Sequence, residues 1–183
     1  MSMRPSSRHL ILDAAIRVTE RDGITGLTLD AAAREAGVTK AGLMYHFPSR
    51  EELLIAIQKH LITQWEERLA DTLGKPQAQA TTRETTVAYT IEGAAHTASK
   101  ADLTFMLESV AQPALSQLWD ELMHRWAPLP EHVEDPADLD LLLARMASDG
   151  MWLYEATTGA ALPAPLKAAL LRRITELSNP AAG

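Results

Sequence analysis

Apolar residues recur at helical spacing along most of the chain, and no useful stretch alternates with the period of two that marks a strand. The first stripe, Ile11, Ala14, Ala15 and Val18, predicts an opening helix that Ser6 or Ser7 caps and that runs to about Asp22, where Gly23 ends it. Ile24 and Leu27 are then expected to tuck under two short helices. Thr28 is placed to cap the first, 29–36, with Asp30 and Glu35 on its wet side and Gly37 as a left-handed stop. Thr39 is placed to cap the second, 40–46. Phe47 closes it, Pro48 stops it, and Ser49 with Glu52 forms a capping box for the next helix.

That next helix, from Arg50 to about Leu73, carries Leu54, Ile57, Leu61, Trp65, Leu69 and Leu73 on one side and is expected to act as a rod joining two domains. Further helices are predicted over 82–98, with Val87, Ile91, Ala94, Ala95 and Ala98 inward, then from an Asp102 cap to Ala111, and from Pro113 to Ala127. An acidic, Pro-rich loop follows at 128–136. Asp135 as cap and Pro136 at the first helical position begin a long helix to about Thr157 that Gly159 ends, and Pro165 starts a last one to Leu177. The pattern is all-α, about nine helices. It divides into an N-terminal three-helix helix-turn-helix domain at 1–48 and a C-terminal ligand-binding and dimerisation domain at 49–183.

Charge sharpens this division. The chain of 183 residues carries a net charge of −7, yet residues 1–50 hold seven basic and five acidic side chains, while residues 51–183 hold ten basic against nineteen acidic. A locally basic head on an acidic body suits a domain that meets phosphates while the rest does other work. With no cysteine there is neither a disulfide framework nor a thiolate metal site, which fits a reducing compartment. No signal peptide and no run of 18 apolar residues is present, so a cytoplasmic protein without a membrane partner is expected. The six histidines are scattered, and neither an H-E-x-x-H nor a G-x-S-x-G motif occurs, so the chain is not read as an enzyme and no cofactor is expected.

Two short helices joined by a Gly-containing turn form the pattern in which a second helix enters the DNA major groove. Here the second helix opens with Thr39 and Lys40, continues through two small residues, Leu43, Tyr45, His46 and Phe47, and is followed by Ser-Arg-Glu-Glu-Leu-Leu. This stretch, within about Arg8 to Trp65, resembles the TetR family of bacterial transcriptional regulators. The resemblance implies a regulator that binds a double-stranded DNA operator as a homodimer and is released by a small-molecule effector.

In that reading Thr39 and the backbone N–H groups it precedes face phosphate. Lys40 neutralises a phosphate or reaches a guanine edge. Ala41 and Gly42 let the helix sit deep, with Ala41 near a thymine methyl. Tyr45 and His46 offer donors to the groove edge, while Thr28 and Arg50 clamp phosphates on either side. One departure from the family pattern is Met44, where many relatives carry an aromatic residue. Either a phosphate-contacting hydroxyl is lost there or Met44 packs inward.

One head reaches only a few base pairs, so a useful site needs two. Leu142, Met146 and Leu153 of the long eighth helix and Leu166, Leu170 and Ile174 of the ninth are the expected dimerisation residues, with Ala144, Ala147, Ser148 and Gly150 permitting close approach. For the effector pocket, Trp65, Phe105, Met106, Trp119, Met123, Trp126, Met146 and Trp152 supply broad apolar surface. Glu92, Glu108, Asp149 and Glu155 lie on otherwise apolar helices, and a buried carboxylate facing aromatic rings favours a lipophilic cation. The YHFPSR stretch, Trp65, the Pro113 break and the ASDGMW segment resemble the multidrug-binding (QacR-like) branch, which carries a drug-pocket tryptophan at the Trp65 position. That resemblance implies cationic dyes and quaternary amines as effectors and efflux control as the task. Regulation of lipid, acyl-CoA or other metabolism is the alternative, as is a metal-assisted ligand sensor using Glu92 and His96 at i, i+4 spacing.

Overall fold

The structure, a computed structural model, describes residues 7–179. Ser6, one of the two expected caps, lies outside them. Among the described residues there are nine α-helices and one short 3-10 turn, Gln77–Gln79, and no strand. The helices are α1 (Ser7–Gly26), α2 (Leu29–Ala36), α3 (Lys40–His46), α4 (Arg50–Leu73), α5 (Thr82–Ala95), α6 (Lys100–Ala111), α7 (Pro113–Trp126), α8 (Pro136–Thr158) and α9 (Ala164–Ser178). None of them is long and apolar enough to cross a membrane. They fall into two compact units, one of residues up to 63 with 100–118 and one of 64–99 with 119 onward.

In the first unit the expected α1 stripe is fully buried together with Leu12, and it meets Leu27, Ala32, Ala33, Leu43 and Phe47. Leu53, Leu54 and Ile57 of α4 complete this core. The chain leaves helical geometry at Gly23 (φ 74°) before the α1 segment finishes at Gly26. Gly37, at φ 68°, returns its N–H to the Ala33 and Arg34 carbonyls and ends α2, a conformation that any other residue would adopt only with strain. Ala101 and Phe105 of α6 also enter this core. Glu20 accepts a hydrogen bond from the Ala101 amide at 2.6 Å, and the buried Gln58 donates to the Phe105 carbonyl at 2.7 Å.

In the second unit α5, α8 and α9 pack on one another around Ala94, Ala144, Met151 and Ile174. The inward face of α5 differs from the expected one. Val87 and Ile91 are only half-buried and Ala95 is exposed, whereas Thr85, Thr86, Ala88, Thr90, Gly93 and Ala94 are buried. The buried threonines donate their hydroxyls to carbonyls three or four residues back, so each presents mainly its methyl group to the packing. Gly93 is needed for close approach, since a Cβ there would lie 2.7 Å from Ser148 Oγ. The helix stops at Ala95, short of Ala98. Helix α6 starts at Lys100, before the expected Asp102 cap, and α9 starts at Ala164 behind Pro163. The α8–α9 connection is tied by Glu155, 4% exposed, which accepts from Lys167 Nζ at 3.0 and 3.1 Å and from the Leu162 amide at 3.1 Å.

Candidate DNA-reading face and ligand cluster

The geometry of α2 and α3 follows from two local caps. Thr28 Oγ1 accepts from the Ala31 amide and Thr39 Oγ1 from the Gly42 amide, each at 3.0 Å. Leu43 and Phe47 anchor α3 in the core, and that leaves its other side outward. Lys40, Ala41 and Gly42 are exposed, Met44 is 41% and Tyr45 85% exposed, and His46 is half-buried with its ring edge-on to Tyr45 at 5.2 Å. The alternative in which Met44 packs inward is therefore overturned, because Leu43 and Phe47 already take the two inward positions.

Two charged residues of the face are engaged. Lys40 Nζ lies 2.8 Å from Asp30 Oδ2, a pair in which both side chains are more than half exposed. Arg50 donates through Nε to the Leu27 carbonyl at 2.9 Å and through Nη2 to the Ile24 carbonyl at 3.0 Å. Its guanidinium holds the loop before α2 to the start of α4. Beside them Arg17 and Arg21 both pair with Glu35 at 3.0 Å, which keeps the Glu35 carboxyl below its ordinary range.

The expected ligand residues divide between the units. Phe105, Met106 and Glu108 belong to the first; Phe105 is fully buried in its core, and Glu108 accepts from Gln112. In the second unit Trp65 meets Tyr89 edge-on at 6.2 Å and His96 at 5.3 Å. Arg68 lies over the Trp65 ring at 4.9 Å, and Arg145 over the Tyr89 ring at 5.5 Å. Glu92 is 3.5 Å from Arg68 Nε and accepts from Thr72 Oγ1 at 3.1 Å. Asp149 accepts from the Tyr89 hydroxyl at 3.0 Å and lies 3.7 Å from Arg145. Burial holds the Asp149 carboxyl above its ordinary range, against the pull of Tyr89 and Arg145. Burial, helped by the charge of Asp149, also drives the Tyr89 phenol up.

Three of the four expected carboxylates, Glu92, Asp149 and Glu155, thus have cationic neighbours of their own, and Arg68, Tyr89 and Arg145 join the cluster without an apolar period to announce them. Trp119, Met123 and Trp152 are half-buried in the second unit, and Met146 is 46% exposed. Trp126 is buried and donates to Glu66 at 3.1 Å. An open cleft of about 350 Å³ in the same unit is lined by residues such as Lys75, Arg83, Glu84 and Val87 and holds none of the expected ligand residues. Among the described residues no group of three His, Cys, Asp or Glu is placed to hold a metal ion, and the Glu92 carboxylate is taken by Arg68 and Thr72.

Of the expected dimerisation residues, Met146, Leu153 and Leu166 are 45–47% exposed, and Leu142 and Leu170 are half-buried. Ile174 is 2% exposed within the core formed by Ala94, Ala144 and Met151, so its side chain is used inside the unit. Leu139, Leu143 and Tyr154 extend the exposed apolar surface of α8.

Comparison with known proteins bears on both units. A family model for bacterial regulatory proteins of the tetR family matches residues 11–57, and one for a tetracyclin repressor-like C-terminal domain matches residues 83–179. The HTH-type transcriptional regulator BetI of Cronobacter sakazakii is 30% identical over 172 residues, covering 87% of this chain and 84% of its own length. Among solved structures, a Saccharomonospora viridis chain in complex with choline superimposes with a TM-score of 0.66 at 19% identity, covering 94% of this chain and 95% of its own. The multidrug binding protein EbrR complexed with malachite green does so with a TM-score of 0.60 at 22% identity, covering 94% and 98%.

Proposed function

Because the chain belongs to the TetR family of bacterial regulatory proteins, and so is a DNA-binding transcription regulator and not an enzyme, we propose that it is a repressor that binds a palindromic operator as a homodimer and is released by a small molecule. One observation carries the DNA-reading part. The outward side of α3 presents Lys40, Ala41, Gly42, Met44 and Tyr45 exposed, behind a Thr39 cap that accepts from the Gly42 amide. Small residues let such a helix approach base edges, and the helix N-terminus attracts phosphate. Thr28 and His46 flank this surface. Arg50 acts by holding the Ile24–Leu27 loop in place, and any phosphate it meets is a second duty.

In this reading residues 1–48 form the reading head, residues 49–183 bind effector and partner, and the protein works in the cytoplasm. The exposed apolar row of Leu139, Leu143, Met146 and Leu153 on α8, with Leu166 on α9, is the proposed dimer surface. The effector sits against Trp65 and Tyr89. Helix α4, continuous from Arg50 to Leu73, carries Trp65 and Arg68 at one end and the Arg50 loop clamp at the other, so an effector that shifts it changes the separation of the paired heads. Neighbours that hold choline and malachite green support an effector with a cationic group. The arginines beside Glu92 and Asp149 favour one whose charge is not only positive.

Fluorescence anisotropy with the DNA flanking the protein's own gene tests the proposal. Saturable binding that weakens steeply with salt is expected, and its absence would remove the reading.

A further inference from the structure

The second unit contains buried donors with nothing to donate to. Arg145 is 5% exposed, and neither its Nε nor its Nη1 has a hydrogen-bond acceptor. The Asp149 oxygen 3.7 Å from Nε is too far for a hydrogen bond. Ser148 Oγ, on the same inward side of α8, is fully buried and equally unpartnered, and so is Arg68 Nε. The two guanidiniums are linked through the rings they cover, Arg68 on Trp65 and Arg145 on Tyr89. Buried polar groups are nearly always satisfied, and unmade donors are costliest when charged. Arg145 and Ser148, both buried and three residues apart on α8, point to an acceptor that arrives from outside. Asp149, with 39% of its side chain exposed, gives the cluster an edge on solvent.

We infer that Arg145 and Ser148 receive the carboxylate of a small effector whose apolar body packs on Trp65 and Tyr89. A singly charged acid suits the cluster better than a phosphate: with Arg68 and Arg145 already set against Glu92 and Asp149, a carboxylate adds one net negative charge and a phosphate dianion would add two. The inference rests on the reading of the second unit as the effector body and names the chemistry that body selects.

The test titrates phenylacetate, and benzyltrimethylammonium as a cation with the same ring, into the full-length protein, Arg145→Met and Ser148→Ala. Tryptophan fluorescence and the thermal midpoint are the readouts. Phenylacetate should saturate the wild type, bind at least tenfold more weakly to Arg145→Met and several-fold more weakly to Ser148→Ala. Without ligand Ser148→Ala should melt no lower than the wild type, since its hydroxyl has no partner to lose, whereas Arg145→Met gives up the Tyr89 ring and the Asp149 charge and should melt lower. The inference is overturned if phenylacetate fails to bind, binds Arg145→Met equally well, or binds the wild type less tightly than the cation does. Should Arg145→Met not fold, unchanged phenylacetate affinity in Ser148→Ala overturns it. Phenylacetate binding that leaves the operator complex intact removes the effector reading and keeps the site. Release of operator from Arg145→Met by the cation does the reverse.

Discussion

On the proposed reading face Lys40 and Asp30 pair with each other. Their ion pair is exposed on both sides, and such pairs are worth at most about 1 kcal/mol, so an incoming phosphate or guanine displaces Asp30 at little cost. Lys40→Ala should weaken operator binding by about 1–3 kcal/mol if the ammonium reaches a base, and less if it meets phosphate alone. Asp30→Asn should tighten binding at low salt, with the gain fading as salt rises. Anisotropy titrations at two salt concentrations check both, and an Asp30→Asn variant that binds more weakly would contradict the role given to the pair. Arg50 predicts a different signature. Its loss removes two charge-assisted hydrogen bonds to the Ile24 and Leu27 carbonyls, so Arg50→Ala should lower stability by about 1–3 kcal/mol in denaturant melts without DNA. A side chain reserved for phosphate would leave those melts unchanged. Its place at the start of α4 could be read from the sequence. Its task could not, because its acceptors lie more than twenty residues away along the chain.

At the scale of the element, legibility tracked how local the chemistry is. The caps at Thr28 and Thr39 and the left-handed Gly37 involve partners within four residues, and each could be read from spacing alone. The inward face of α5 could not. Threonines that return their hydroxyls to the helix backbone pack as methyl groups, and a count of apolar residues passes over them. Phe105, buried in the core of the first unit, is of the same kind: periodicity marks an inward residue without saying which core is inward. The start of α5 also carries a pH signature. In its capping box the Glu84 carboxyl is held at about 2, against an ordinary 4.5, by Lys75 and by the amide and hydroxyl of Thr81. A depressed folded value means that the contribution to stability is complete above the unfolded pKa and is lost as pH falls from about 4.5 towards 2. Melting curves of the wild type and Glu84→Gln should therefore differ most near neutrality and converge near pH 2, while a constant gap would contradict the cap. At the other end of the unit, Glu155→Ala strands Lys167 and the Leu162 amide and should cost about 3 kcal/mol in chemical denaturation.

The whole molecule joins two units that share two helices, α4 and α7. Helix α4 supplies Leu53, Leu54 and Ile57 to the core of the first unit and, further along, Trp65 and Arg68 to the aromatic cluster of the second, so in the proposed reading it is the element that couples effector to DNA. The remaining step is pairing, since one α3 covers too few base pairs to select a site. If the exposed α8 row pairs two chains, the operator must hold two half-sites in fixed rotational phase. The decisive measurement is sedimentation equilibrium and anisotropy on the cognate duplex, alongside the same duplex with five base pairs inserted between its half-sites. Two chains per duplex, or a multiple of two, with binding lost on insertion, is the predicted result. A single chain that saturates the duplex, or affinity indifferent to the insertion, would contradict the paired-head account.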